Sequence, residues 1–194
     1  MSYIETYKNK YNGNFEDRRV FDFVLFGKKQ KVTASGILLT TIKNNKKYFL
    51  LTQEFNGLTD VGGKAIITDD TALITAWREF HEETNASLFC RIKDIDVIKK
   101  HIPILINVTS QLYSVKKRIY VIKSKYLIHI VNIPSFIMDL HDNNWFGDTE
   151  LYENVSRNIK WWSSEEIQKY LDNGGKLQCR LRNKLVYETL QINL

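Results

Sequence analysis

Two cysteines and two prolines in 194 residues set the first limits on this chain. Cys90 and Cys179 stand far apart and in no pattern with histidine, which excludes zinc-site spacing and a disulfide framework and fits a reducing, intracellular setting. The four histidines, His81, His101, His129 and His141, form no ligand set with a cysteine, and no chemistry is assigned to them. Pro103 and Pro134 are too few for a proline-rich linker, and no internal repeat or low-complexity tract divides the chain. The expectation is a single domain with its core at about residues 18–172 and short N- and C-terminal extensions. No apolar run approaches the length that spans a bilayer. The opening segment, MSYIETYKNKYNGNFEDRR, lacks a signal-peptide core, so a cytoplasmic protein without membrane contact is expected.

The chain is 43% hydrophobic and 26% charged, with a formal charge of +6 and a pI near 9.2. That balance favours polyanionic partners, although Lys28, Lys29, Lys31, Lys46 and Lys47 are scattered as on an ordinary solvated surface. The runs RRVFDFVLF, KVTASGILLTTI and KYFLLTQ, separated by Gly27-Lys28-Lys29 and Asn44-Asn45-Lys46, read as three strands, the last two a hairpin. From Thr71 to Thr84 the period changes: Leu73, Ala76, Trp77 and Phe80 share one helical side, and Glu79, Glu82 and Glu83 another. Beyond that helix, DIDVIKKHIPILINV and RIYVIKSKYLIHIV read as strands. SSEEIQKYL carries a Ser-x-x-Glu capping pattern before a helix, and a last helix is expected from about Lys176 to Leu190. The fold class is therefore α/β (α+β), a mixed sheet sandwiched between helices.

Glu79, Glu82 and Glu83 stand at i, i+3 and i+4, so their carboxylates leave one helical face side by side. Such a face is either solvated or a site for hard divalent cations, with magnesium taking a few carboxylates and leaving positions for water and phosphate oxygens. The neighbours favour the second. Gly62-Gly63 precedes the helix, letting backbone approach a phosphate or offer a carbonyl, and Lys64 follows. Asp69, Asp70 and Thr71 supply capping and negative charge at the positive end of the helix dipole.

The segment GGKAIITDDTALITAWREFHEETNA resembles the box of the Nudix hydrolases: glycine, five residues, glutamate, seven residues, then Arg-Glu-aliphatic-x-Glu-Glu-x-Gly-aliphatic. Arg78-Glu79-Phe80-His81-Glu82-Glu83-Thr84-Asn85-Ala86 carries its charged half, over roughly Gly62 to Ala86. Counting back from Arg78 puts Asp70 in place of the first glutamate, with one residue inserted after Gly63; counting forward from Gly63 selects Asp69. The role of that position stays open between capping and catalysis. Asn85 stands for the last glycine, and asparagine tolerates the left-handed conformation that ends many helices.

The resemblance implies a loop-helix-loop motif on a mixed sheet and Mg²⁺-dependent hydrolysis, with Mn²⁺ as a substitute. The substrate would be a nucleoside diphosphate linked to another moiety: a nucleotide, nucleotide sugar, dinucleotide or capped RNA. It also implies that Glu82 and Glu83 ligate metal, that Glu79 is a ligand or the base for water, and that Arg78 orients the glutamates. Gly63 would contribute to the metal site, and Gly63 and Lys64 to phosphate binding. The alternative is a catalytically weak Nudix-like module that binds a nucleotide or RNA. The isoprenoid-diphosphate isomerases on this scaffold rely on an upstream cysteine, and none precedes Cys90.

A further carboxylate from a far-side loop is expected among Asp139, Asp142, Asp148, Glu150 and Glu153, with Glu150 or Glu153 favoured because they precede IKWWSSEEI. Trp145 and Phe146 are candidates for stacking on a base or for core packing. One of Trp161 and Trp162, alternating at strand spacing, is expected to be buried. Lys116-Lys117-Arg118 reads as a charged hairpin turn or a phosphate contact.

Overall fold

The computed structural model describes residues 18–86, 88, 94–141, 146–147, 149–151 and 156–193. Cys90, Asp142, Trp145, Asp148 and Glu153 lie outside the described residues. The first two strands, β1 (Phe21–Leu25) and β2 (Lys28–Val32), pair only with each other as an antiparallel ribbon. The turn is Phe26-Gly27 alone, with φ of 49° and 75°. Two consecutive positive φ angles make the tight turn that matches strand twist, so Lys28 and Lys29 are already strand rather than the turn expected.

Strands β3 (Ala34–Lys43) and β4 (Lys46–Glu54) form the anticipated hairpin around Asn44-Asn45, again with both φ angles positive. They join β5 (Gly57–Thr59), β6 (Val61–Lys64), β7 (Val115–Val121), β8 (Tyr126–Asn132) and β9 (Asn158–Ser163) in a seven-stranded mixed sheet. β3 runs parallel to β8 and antiparallel to β4 and β6, β9 flanks β4, and β7 lies beyond β8.

Helices cover both faces. On one, α1 (Ala72–Glu83), α2 (Ile95–Leu112) and α3 (Ser135–Leu140) bury Trp77, Phe80, Ile102 and Ile137 against Ile37, Leu39, Leu50, Val131 and Trp161. On the other, α4 (Ser164–Asp172) and α5 (Lys184–Leu190) bury Ile167, Val186 and Leu190 against Leu38, Phe49, Leu51, Ile128 and Trp162. This is the mixed α+β sandwich expected. Because each face is covered, Trp161 and Trp162 are both buried, one in each core, where a single buried partner was expected. Phe146 is in the first core, so it packs and does not stack on a base.

The sharpest correction is α2, where strands were expected. Its β-branched residues suggested extended backbone, yet Ile98, Ile102 and Ile106 are buried while Lys100 and Ile104, which a strand would place on the same face, are exposed, and that pattern fits a helix. Asp94 caps it, accepting from the N–H of Asp96 at 3.0 Å and of Val97 at 3.2 Å. The capping box before α4 is complete, with Ser163 and Glu166 each bonding the other's backbone N–H. The last helix begins at Lys184, not Lys176. Backbone at Lys176 and Gln178 instead bonds Leu58, and Asn183 caps the helix. The stretch after residue 172 is thus no loose extension, since Leu177, Leu181, Val186 and Leu190 complete the second core. Lys116, Lys117 and Arg118 are exposed residues of β7, not a turn.

His129, in the centre of β8, is 2% exposed and has no hydrogen-bond partner on either ring nitrogen. Burial lowers its pKa from 6.5 to about 3, with Arg118 adding to the shift. The unfolded chain then binds one more proton than the folded one between pH 6.5 and 3, so this group removes stability as pH falls through that window. Urea unfolding at pH 6.5, 5.5 and 4.5 should show His129→Leu losing less stability than wild type, by about 1.4 kcal/mol per pH unit. Parallel pH profiles for the two proteins would show that His129 titrates normally.

Candidate functional site

Thr71 starts α1 by accepting from the N–H of Ile74 at 3.2 Å. The acidic edge of this helix is not a solvated face: Glu79, Glu82 and Glu83 are 8%, 4% and 5% exposed. Carboxylates so placed require cationic or hydrogen-bonding partners. Arg78 supplies them from the same helix, itself 1% exposed. Its Nε and Nη2 donate to the two oxygens of Asp69, each at 3.0 Å. Its Nη1 lies 2.9 Å from both Glu79 Oε1 and Glu82 Oε2, and Nη2 also donates to the Lys64 carbonyl at 2.8 Å. Burial works against this charge, yet Glu79, Glu82 and Asp69 hold its pKa well above the ordinary arginine value.

Burial separates Asp69 from Asp70. Asp69 is 1% exposed, bonded to Arg78, Thr75 Oγ1 and the N–H of Ile66, whereas Asp70 is exposed. Gly63 lies directly beneath Glu79, where a Cβ would run into the Glu79 carboxylate. Lys64 points its side chain to solvent and contributes its carbonyl to Arg78.

Asn85 takes the left-handed conformation, φ 53°, just beyond the helix. Its side-chain amide donates to the carbonyls of Phe146 and Thr149, both at 2.8 Å, and the N–H of Leu151 donates to the Glu82 carbonyl at 3.1 Å. These three bonds hang the 146–151 segment on the end of α1 and bring Glu150 to the site. There Arg157 gathers a second acidic group: Glu54 at 2.8 Å, Glu83 at 3.6 Å, and Glu150 in close contact. Burial raises the Glu83 pKa well above the carboxylate range; Arg157 opposes the shift and Glu79 adds to it. Asp139, another of the five far-side candidates, instead pairs with Lys43 on the surface.

A third arginine, Arg180, reaches in from the segment before α5. It donates to the carbonyls of Asp60 and Gly62, each at 3.0 Å, pairs with Asp60 Oδ1 at 2.9 Å, and lies over the Tyr126 ring. Tyr126 donates its hydroxyl to Asp60 Oδ2 at 3.0 Å, in space left by Gly36 and Gly62. Sequence reading missed Glu54, Arg157 and Arg180 because their partners are distant in the chain, and no local spacing marks them. Among the described residues, no three acidic, histidine or cysteine side chains converge on one point, since Arg78 and Arg157 each draw carboxylates toward themselves.

No protein-family model matches the chain, and no curated protein does. Among solved structures, the chain is similar to a C. elegans Ap4A hydrolase binary complex, at 16% identity and TM-score 0.44, over 82% of this chain and 93% of that one. It is also similar to the C. elegans Ap4A hydrolase in a second crystal structure, at 18% identity and TM-score 0.39, over 73% and 87%. A Nudix hydrolase from M. smegmatis, RenU, aligns at 13% identity and TM-score 0.34, over 71% and 74%.

Removing one member of a buried ion pair leaves the other charge uncompensated, at a cost of roughly 3–5 kcal/mol. Urea denaturation should therefore show Asp69→Asn losing about 3 kcal/mol, while Asp70→Asn stays within about 0.5 kcal/mol of wild type. Equal losses in the two variants would contradict the placement of Asp69 on Arg78.

Proposed function

We propose that this chain hydrolyses a diphosphate linkage in a small nucleoside diphosphate derivative, using Mg²⁺, or Mn²⁺ in its place, bound at Glu79, Glu82 and Glu83. The observation that carries the reading is Glu83 Oε2, a buried carboxylate oxygen with no hydrogen-bond partner on a helix face that holds two further buried glutamates. An oxygen-only set of this kind suits a hard divalent cation, and Gly63, packed against the Glu79 carboxylate, is proposed to add its carbonyl. When bound, such a cation neutralises phosphate charge and lowers the pKa of an attacking water.

The protein's own groups divide the remaining work. Glu79, seated against Gly63, is the ligand or the base that accepts the water's proton. Arg78 fixes Glu79 and Glu82 through one nitrogen, so neither can rotate freely. Lysine could supply the charge there but not the five fixed donors. Of the two described far-side candidates, Glu150, carried in by Asn85, is the one that joins Glu83 through Arg157.

Two arguments for an RNA substrate weaken here. Phe146 is in the core, and Lys116-Lys117-Arg118 belongs to a strand on the sheet edge. A small nucleotide is accordingly preferred to capped RNA, with cytoplasmic action as part of the proposal.

Glu82→Gln or Glu83→Gln should cut turnover by orders of magnitude in a folded protein, and excess EDTA should abolish activity in wild type. Arg78→Lys should also lose activity. Undiminished turnover in EDTA or in both glutamine variants would reject the site. The substrate test is a panel of nucleoside triphosphates, ADP-ribose, dinucleoside polyphosphates, diphosphoinositol phosphates and capped RNA. KM for the preferred substrate should change little from about 50 to 200 mM salt, whereas six phosphate contacts to RNA would weaken binding roughly a thousandfold. A steep salt dependence with release of a cap nucleotide would establish RNA instead. Tight binding without turnover of any member would leave a nucleotide-binding module.

A further inference from the structure

Arg157 is a half-buried cation with a partner on every side. Its side chain is 17% exposed, and around it stand Glu54, Glu83 and Glu150, at 24%, 6% and 12%. None of these contacts belongs to the loop-helix-loop segment except that to Glu83, and it is the longest, at 3.6 Å through Glu83 Oε1. The other Glu83 oxygen, Oε2, is the one without a hydrogen bond. Three acidic side chains meet this one guanidinium, and Arg180 acts on Glu83 and Glu54 from further off. Gln178 also donates to Glu54, at 2.7 Å.

We propose that Arg157 is a tethered counter-cation of the acidic centre, holding Glu83 and Glu150 together in the metal-free protein and competing with the divalent cation for them. The inference rests on the metal-dependent reading above and adds what that reading leaves out, namely what keeps a buried acidic cluster assembled before metal arrives. Arginine suits the role because its fork can grip several carboxylates at once and it never loses its charge. The weak, one-sided hold on Glu83 makes that residue the first to be surrendered. Glu54 stays behind as the anchor, at 2.8 Å from the other terminal nitrogen, so the guanidinium keeps a partner after the exchange.

The test is Mn²⁺ titration of the full chain by calorimetry, with no substrate present. Arg157→Gln should bind Mn²⁺ about tenfold more tightly than wild type, as expected when one adjacent like charge is removed. Its metal-free form should melt at a lower temperature and gain more from Mn²⁺. Arg157→Lys, which keeps the charge but loses the fork, should fall between the two, and it decides the matter if the glutamine variant does not fold. Lys43→Gln removes the same charge from a distant surface pair and should leave Mn²⁺ affinity unchanged. Equal or weaker Mn²⁺ binding in the Arg157 variants, or an equal gain in Lys43→Gln, overturns the proposal and leaves the metal centre standing. Absence of Mn²⁺ binding in wild type and variants alike overturns both.

Discussion

The interaction on which the site depends is the buried guanidinium of Arg78 with its acidic partners. A group that cannot deprotonate has been placed in the interior, and only a complete set of acceptors makes that tolerable. Four N–H groups donate hydrogen bonds, two to Asp69, one to Glu82 and one to the Lys64 carbonyl, and Nη1 also forms an ion pair with Glu79 at 2.9 Å. The consequence is geometric. The loop from Lys64 to Asp69, the first turn of α1 through Thr75, and the glutamates one turn further on are held to a single planar fork. Replacing any acceptor would disturb the rest, which makes the loop and helix one rigid part.

Arg180 plays a comparable part from the opposite end of the chain. By gripping the carbonyls of Asp60 and Gly62 it fixes the strand that leads into Gly63, and Tyr126 and Asp60 close the arrangement from within. Burial raises the Asp60 pKa, and Arg180 and Tyr126 pull it back. Glu79 therefore faces backbone set by Asp60 between β5 and β6, by Tyr126 of β8 and by Arg180 before α5. Local spacing provides the ligands, and long-range contacts provide their positions.

That division explains what could be read from the residues. The acidic face of α1, the capping box at Ser163, the β3–β4 hairpin and the sandwich of helices on a mixed sheet all follow from patterns a few residues long. Arg157 and Arg180 leave no such trace, because apart from Glu150 beside Arg157 their partners are far away in the chain. The α2 helix was obscured for another reason: isoleucine and valine favour extended backbone in isolation, and helix is decided by the exposure of Lys100 and Ile104 between the buried Ile98, Ile102 and Ile106. Asp69 and Asp70 could not be separated without knowing which of them faces inward.

The strand β7 ends the sheet and pairs only with β8 among the described residues. An open edge of this kind offers unpaired backbone N–H and C=O groups to any other extended chain, including a second copy of the same protein. Here that edge carries Lys116, Lys117 and Arg118 in succession, all exposed, and a bulge between Val115 and Lys117 breaks its regularity. Two approaching copies would have to bring six positive charges together along a bent edge. The basic run, which in the sequence reads as a charged hairpin turn or a phosphate contact, in this setting lines an open sheet edge with like charges, and such charges oppose edge-to-edge pairing.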